Sequence, residues 1–182
     1  ALFCEENIWH LCQSLLQTVD HKHLHVLFIS NPLQQVAIFN QKTAHHDTAD
    51  DTPVVWDYHV VLLRTDDKQP SLIYDFDSFC EFPCDAKKYF QLSFPDKYQI
   101  NKDYQAVFRL INAEDYLNKF SSDRSHMQGT ISKEQYPDYP AIQATDTQHQ
   151  LNFTQLIDFN TKLHTDEPLY SLAALIKKFY LE

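Results

Sequence analysis

Glycine is almost absent from this chain, because Gly129 is the only glycine in 182 residues. Phosphate-binding loops use several glycines, since the backbone must turn sharply and come close to the phosphate. The sequence contains neither the GxGxxG pattern of dinucleotide-binding folds nor the GxxxxGK[ST] pattern of P-loop enzymes. The sequence therefore argues against both classes, and its turns must rely on Pro, Asn and Asp.

The formal charge of −10 comes from 25 acidic against 15 basic side chains. Proteins that bind nucleic acids or anionic membranes carry clustered Lys and Arg to neutralise phosphates. The charge balance argues against both kinds of partner and is compatible with a neutral or basic peptide. Acidic charge also keeps a protein soluble without any partner, and this is the simpler interpretation.

No apolar run is long enough for a membrane-spanning helix, and residues 1–16 lack the pattern of a signal peptide. The cysteines are too few and too unevenly spaced for a disulfide scaffold: Cys4, Cys12, Cys80 and Cys84. They are expected to be reduced thiols in a protein of the cytoplasm, with the nucleus as a second compartment. The length suits one domain, residues 1–182, and nothing demands a dimer, so a monomer is expected.

Hydrophobic periodicity predicts an α+β domain with a mainly antiparallel sheet. The predicted helices are residues 5–19, 86–92, 113–120 and 169–180. The predicted strands are residues 24–30, 36–41, 54–64, 71–76 and 105–111, with 36–41 pairing with 24–30 across a short turn. Residues 54–64 are apolar on both faces except at Asp57 and His59, which indicates a central strand. Residues 43–53 and 121–150 are predicted to be polar surface loops.

Cys4 lies at the predicted start of the first helix. Unpaired N–H groups and the helix dipole at such a position stabilise a thiolate, so the pKa of Cys4 is expected to be low. The same N–H groups can form an oxyanion hole. A cysteine near a helix start is more often only a small apolar side chain, so Cys4 alone is a weak indication of catalysis.

His59 and Asp75 lie in consecutive predicted strands. A hairpin symmetric about Asp67 places them directly opposite each other on one face, whereas a slip of one residue would separate them. The carboxylate could then hold one imidazole nitrogen and leave the other for a thiol. A structural polar network would satisfy the same buried groups, and Asp77 is an alternative third member of a triad.

Five segments together resemble the protein N-terminal glutamine amidohydrolases, the family named for its WDYHV motif. They are residues 4–9 (CEENIW), 56–60 (WDYHV), 73–75 (IYD), 82–84 (FPC) and 122–127 (SDRSHM). The resemblance implies a transglutaminase-like, papain-related cysteine hydrolase fold and a triad of Cys4, His59 and Asp75. The chain departs from the family at 40–50 and at 167–170, which puts loop shape and peptide preference in doubt.

The implied reaction converts the side-chain amide of an N-terminal glutamine to a carboxylate through a thioester, without metal or cofactor, and an N-degron role follows from the resemblance. The partners would be proteins or peptides that start with Gln. The substrate's cationic α-amino group should need a carboxylate, for which the matching motifs offer Glu6, Asp57 and Asp123.

Other functions remain open from the residues alone. A transglutaminase would resolve the same thioester with an amine, and a peptidase would cleave the main chain. A non-catalytic peptide-binding module would need no turnover. A metal-binding module could use Cys80 and Cys84 or the histidines, although C-x3-C without a second pair is a weak zinc signal; the histidines are His21, His23, His25, His45 and His46. His126 could be a second base, but a loop histidine more often fixes its own loop.

Overall fold

The structure is a computed structural model that describes residues 2–42, 52–161, 163 and 168–181. Side chains at helix starts explain three of the helix boundaries, since Asp85, Asn112 and Ser171 each accept a first-turn N–H. The α-helices in these residues are α1 (Cys4–Leu15), α2 (Ala86–Ser93), α3 (Ala113–Lys119), α4 (Phe153–Ile157) and α5 (Leu172–Phe179). Four of them match predicted helices, while α4 was not predicted and α1 ends four residues early. The helix predicted over residues 169–180 was wrong at its start, because Leu169–Ser171 form a strand and the helix begins at Leu172.

One antiparallel sheet of six strands forms the centre of the molecule. Its strands, in spatial order, are β10 (Leu169–Ser171), β7 (Val107–Asn112), β1 (Leu24–Ser30), β4 (His59–Arg64), β5 (Leu72–Tyr74) and β6 (Cys84–Asp85). Two small sheets pair β2 (Val36–Ile38) with β3 (Val54–Trp56), and β8 (Phe120–Ser121) with β9 (Leu151–Asn152). The predicted α+β class with a mainly antiparallel sheet is confirmed.

Both faces of the large sheet are covered, which explains why its central strands are apolar throughout. Val26 and Phe28 of β1 pack in the cluster that contains residues of α1, α3 and α4. Leu27 and Ile29 alternate with them and pack in the opposite cluster, which contains residues of α2 and α5. Each such side chain contributes about 2 kcal/mol by leaving water, so the β1–β4 pair is a rigid base for polar groups at its end.

The strand predicted over residues 54–64 is divided in two, so the prediction of one continuous strand was wrong. The predicted pairing of residues 36–41 with 24–30 was also wrong. The chain bends at Asp57, whose carboxylate accepts the N–H of Tyr58 and whose C=O accepts the Ser30 hydroxyl. β3 therefore pairs with β2, and β2 does not pair with β1 as expected. β4 does lie in the sheet interior, between β1 and β5.

The predicted register of the β4–β5 hairpin was also wrong, by two residues. Leu62 pairs with Tyr74, where a hairpin symmetric about Asp67 would have paired it with Leu72. The loop is therefore not centred on Asp67, and the register extended along β4 brings His59 level with Asp77. A shift of two residues preserves the face of the sheet, so His59 and Asp75 remain diagonal neighbours.

Residues 121–150 run mainly over the surface with short 3-10 turns, as predicted, and the segment is anchored at its base. The Ser121 and Ser122 hydroxyls accept the N–H groups of Ala144 and Ile142. Among the described residues, no helix has both the length and the apolar character needed to cross a membrane.

Candidate active site

Cys4 is the first residue of α1 and follows a residue with unusual backbone geometry. Phe3, at the N-cap position, has φ 58° and ψ 50°, the left-handed region that side chains other than Gly rarely adopt. The Phe3 side chain has no acceptor and makes no capping hydrogen bond. The N–H groups of the first turn are therefore left uncapped by the N-cap side chain, in an arrangement suited to an oxyanion.

The thiol of Cys4 is buried against the start of β4. The thiol lies 3.6 Å from the Glu5 carboxylate as a donor. Burial raises the pKa of Cys4 well above its usual value, and the charge of Glu5 adds to the effect. The expected low pKa was therefore wrong: desolvation and a neighbouring carboxylate outweigh the helix start, and the resting group is a neutral thiol.

His59, the residue before Val60, is fully buried and bonded to Asp75. The distance from its Nε2 to Asp75 Oδ1 is 2.9 Å. An ionised carboxylate only accepts, so Nε2 carries a proton and donates it, and in the neutral imidazole the lone pair is then on Nδ1. Among the described residues Nδ1 has no hydrogen-bond partner. His59 thus has the tautomer that a base for the Cys4 thiol requires.

Asp75 is held by four donors. Besides His59, the N–H of Asp77 donates to Oδ1 at 2.9 Å, and the Tyr89 hydroxyl and the Gln41 amide donate to Oδ2 at 2.8 and 3.2 Å. Burial by itself would raise the pKa of Asp75, but the His59 charge and these hydrogen bonds outweigh it and hold the pKa below its usual value. The carboxylate therefore stays ionised and fixes the imidazole.

The remaining part of the histidine's surroundings is aromatic. The Trp56 ring stacks on the His59 ring with centroids 4.8 Å apart and planes 26° apart. Trp56 precedes the bend at Asp57, so the division of the predicted strand is what brings its ring back over the imidazole. The stack limits rotation of His59 and keeps water from its face.

The three proposed amine-binding carboxylates have different environments. Glu6 is fully buried, and Arg124 contacts both its oxygens, at 2.8 and 2.6 Å. Asp57 and Asp123 are exposed, and each carboxylate accepts an N–H from the following segment, from Tyr58 and from Ser125. Asp57 lies two residues before His59 in the sequence. The charge of Glu6 is already neutralised by Arg124.

One group of three potential metal ligands occurs in the part of the chain that the structure describes: His59, Asp75 and Asp77, within 4.8 Å of one another. Both Asp75 oxygens already accept hydrogen bonds and one of them binds Nε2, so the arrangement suits a hydrogen-bonded triad better than a cation. The other predicted groupings do not converge. His21 pairs with Glu114, His25 packs on Phe179, and His45 and His46 lie outside the described residues, as does the side chain of His126.

The C-x3-C pair is close in space but does not form a ligand set with a histidine. All four cysteines are free thiols. Cys80 accepts a hydrogen bond from Asn40, and burial together with the neighbouring Cys80 raises the pKa of Cys84 to about 12. Among the described residues, neither cysteine belongs to a group of three or more potential metal ligands.

Sequence patterns did not predict Gln41 and Tyr89, which hold Asp75, or Arg124, which holds Glu6 in the first turn of α1. A tyrosine on the apolar face of a predicted helix signals a buried hydroxyl that needs an acceptor. Arg124 lay inside a quoted motif, but no local pattern pointed to Glu6, which is 118 residues away. No sequence signal identifies Gln41.

Comparison with known proteins identifies the family of this chain. A sequence model of the family described as N-terminal glutamine amidase matches residues 1–179. The chain is 37% identical to the protein N-terminal glutamine amidohydrolase of Bos taurus over 84% of this chain and 73% of that protein. It is 36% identical to the human protein of that name, over 84% and 74%, and 32% identical to that of Danio rerio, over 98% and 87%. The chain therefore belongs to the N-terminal glutamine amidase family.

Proposed function

We propose that this chain hydrolyses the side-chain amide of an N-terminal glutamine in proteins or peptides, giving glutamate and ammonia. The observation that carries the proposal is the His59–Asp75 pair beside Cys4, in a chain of this family. Cys4 is the nucleophile, His59 the general base and acid, and Asp75 the group that orients the imidazole. This arrangement, with the nucleophile at a helix start and the base on an adjacent strand, also supports a transglutaminase-like, papain-related fold.

The first half-reaction begins from a neutral thiol. As the Cys4 sulfur attacks the carboxamide carbon, His59 Nδ1 takes the thiol proton, and the N–H groups at the start of α1 hold the oxyanion. His59 then gives this proton to the amide nitrogen, the C–N bond breaks and ammonia leaves. The product of this half-reaction is a thioester on Cys4.

The second half-reaction consumes one water. His59 Nδ1 takes a proton from the water as its oxygen attacks the thioester carbon. The C–S bond then breaks, His59 returns the proton to the sulfur, and the glutamate side chain is released as the acid, which loses its proton to solvent. Asp75 stabilises the imidazolium in both steps and remains ionised itself, because its pKa lies below the usual value.

Three peptides test the proposal: one with N-terminal Gln, its N-acetylated form, and an isomer with the same Gln internal. We expect ammonia, and the mass change of amide to acid, from the first peptide only. Cys4→Ala should abolish both, whereas Cys12→Ala, a buried thiol of the same helix, should keep turnover. Release from the internal peptide alone, or transfer of that peptide to an added amine in place of hydrolysis, would replace the proposal with a transglutaminase.

We further propose that Asp57 contributes most to binding the substrate's α-ammonium group, with Asp123 second. Both carboxylates are exposed, while Arg124 already neutralises Glu6. The ratio of kcat/KM for the free and acetylated peptides should fall in Asp57→Asn and Asp123→Asn. If neither variant changes this ratio, backbone carbonyls recognise the amine.

A further inference from the structure

The first turn of α1 is attached to a distant surface segment through Arg124. Its Nε and one terminal nitrogen donate to the two oxygens of Glu6, and the other terminal nitrogen donates to the C=O of Tyr139 at 3.0 Å. The guanidinium also lies over the rings of Phe3 and Tyr139, with its carbon 5.6 and 5.1 Å from their centroids.

These contacts surround the nucleophile on both sides along the chain. Phe3 precedes Cys4 and has the left-handed backbone, and Glu6 follows it in the same turn. The Phe3 ring also contacts Tyr136 at 5.7 Å. A side chain other than Gly keeps a left-handed backbone only where its surroundings hold it there. Arg124 contacts both of the residues that would have to move if this turn relaxed.

The ion pair is better explained by geometry than by stability. Glu6 is fully buried and the Arg124 side chain is only 15% exposed, so both charges are largely removed from water. Buried ion pairs add little net stability, since desolvation offsets their attraction, but they fix relative positions through directional hydrogen bonds. A bidentate fork at the start of the nucleophile's helix fixes the direction in which Cys4 points.

We propose that Arg124 is a positioning residue for Cys4, holding the left-handed Phe3 backbone so that the thiol stays against the start of β4, where His59 lies. This inference rests on the proposed function, because the effect is read in turnover. Lysine at this position keeps the charge and loses the fork. Misplacing a reacting atom by about 1 Å lowers the rate by about 100-fold.

The test compares Arg124→Lys with Arg109→Lys. Arg109 is a more deeply buried arginine that donates to the C=O groups of Asp158 and Thr161 and lies over the Phe159 ring. For Arg124→Lys we expect kcat to fall about 30- to 100-fold with KM changed by less than about threefold. Arg109→Lys should change the thermal midpoint and leave kcat near that of wild type.

Two further measurements separate positioning from general damage. Glu6→Gln should lower kcat as well, and the double variant with Arg124→Lys should lose less than the product of the single effects. Alkylation of Cys4 by iodoacetamide against pH, followed by peptide mass spectrometry, needs no substrate. Its profile should change in Arg124→Lys and not in Arg109→Lys, with Cys80 as the internal reference.

The outcomes distinguish this inference from the proposed function. A wild-type protein that releases no ammonia from N-terminal Gln overturns the proposed function, and the alkylation profiles still judge Arg124. Unchanged kcat and alkylation in a folded Arg124→Lys protein overturn the positioning role. Equal losses in both arginine variants, or a rise in KM alone, overturn it too.

Discussion

The two sides of the candidate active site are built in different ways. His59 and Asp75 are 16 residues apart, at the end of a hairpin whose strands are buried on both faces, and four donors hold the carboxylate. Cys4 lies at a helix start with a left-handed residue before it, and Arg124, 118 residues from Glu6, attaches that turn to another part of the chain. The first side is held by several donors to one carboxylate. The second is held by long-range contacts to different residues of one turn, from Arg124 to Glu6 and from Tyr58 and Tyr116 to Glu5. Loss of one donor to Asp75 should therefore have a moderate effect, whereas loss of the Arg124 fork should have a larger one.

The largest effect on the histidine side is expected from Asp75→Asn. An amide can donate to Nε2 and so favours the wrong imidazole tautomer, which lowers kcat by about 10⁴-fold in triads of this kind. Asp77→Asn keeps the backbone N–H that donates to Asp75, so it should cost far less. Steady-state ammonia release from the two variants measures the difference. Equal losses would mean that Asp77 shares the orienting role.

A smaller effect is expected from Tyr89→Phe, which removes one of the two donors to Asp75 Oδ2. Loss of one hydrogen bond to a buried carboxylate costs about 1.4 kcal/mol, so kcat should fall about tenfold. Gln41→Leu removes the other donor and serves as the matched variant. A loss as large as that of Asp75→Asn would show that the contacts are not redundant.

Tyr89→Phe should also change how the stability of the protein depends on pH. The pKa of Asp75 is depressed in the folded protein, so its contribution to stability is present above the unfolded value of about 4 and is lost as the pH falls through the folded value. Tyr89→Phe raises that folded pKa. Its deficit in unfolding free energy should be full at pH 7 and shrink below about pH 4, as urea titrations at several pH values would show. A deficit independent of pH would assign the loss to packing.

The smallest effect is expected from Trp56→Phe, which keeps an aromatic ring over His59. Trp56→Leu removes the stack, and aromatic pairs of this kind contribute about 1 kcal/mol. Turnover should therefore fall by about fivefold in the Leu variant and by less in the Phe variant. Equal turnover in the Leu variant and wild type would limit the stack to a packing role.

The difference between the two sides of the site also explains which features could be predicted from the sequence. Local patterns placed the helix around Cys4 and the strands of His59 and Asp75, because hydrophobic periodicity is a property of neighbouring residues. The predicted hairpin register was wrong, but His59 and Asp75 still lie on the same face of the sheet, because a shift of two residues keeps the face. The Arg124–Glu6 pair and the Gln41 contact depend on tertiary structure, for which one sequence carries no local signal.

The prediction of a low pKa for Cys4 was wrong for a physical reason. The N–H groups and the dipole at a helix start lower the pKa of a thiol, but the burial of Cys4 raises its pKa by more. The split of residues 54–64 depended on the Ser30 hydroxyl, which reaches the Asp57 carbonyl from another strand. Both outcomes were decided by groups remote in sequence.

The burial of His59 has a consequence for the proton on its Nε2. That proton is fully enclosed and bonded to Asp75 at the end of a strand whose neighbours are core residues. It can exchange with solvent only when this part of the sheet opens, and such openings in core strands cost free energies approaching that of global unfolding. We therefore expect this hydrogen to exchange far more slowly than one on an exposed imidazole, so its exchange rate would report how often the sheet opens around His59.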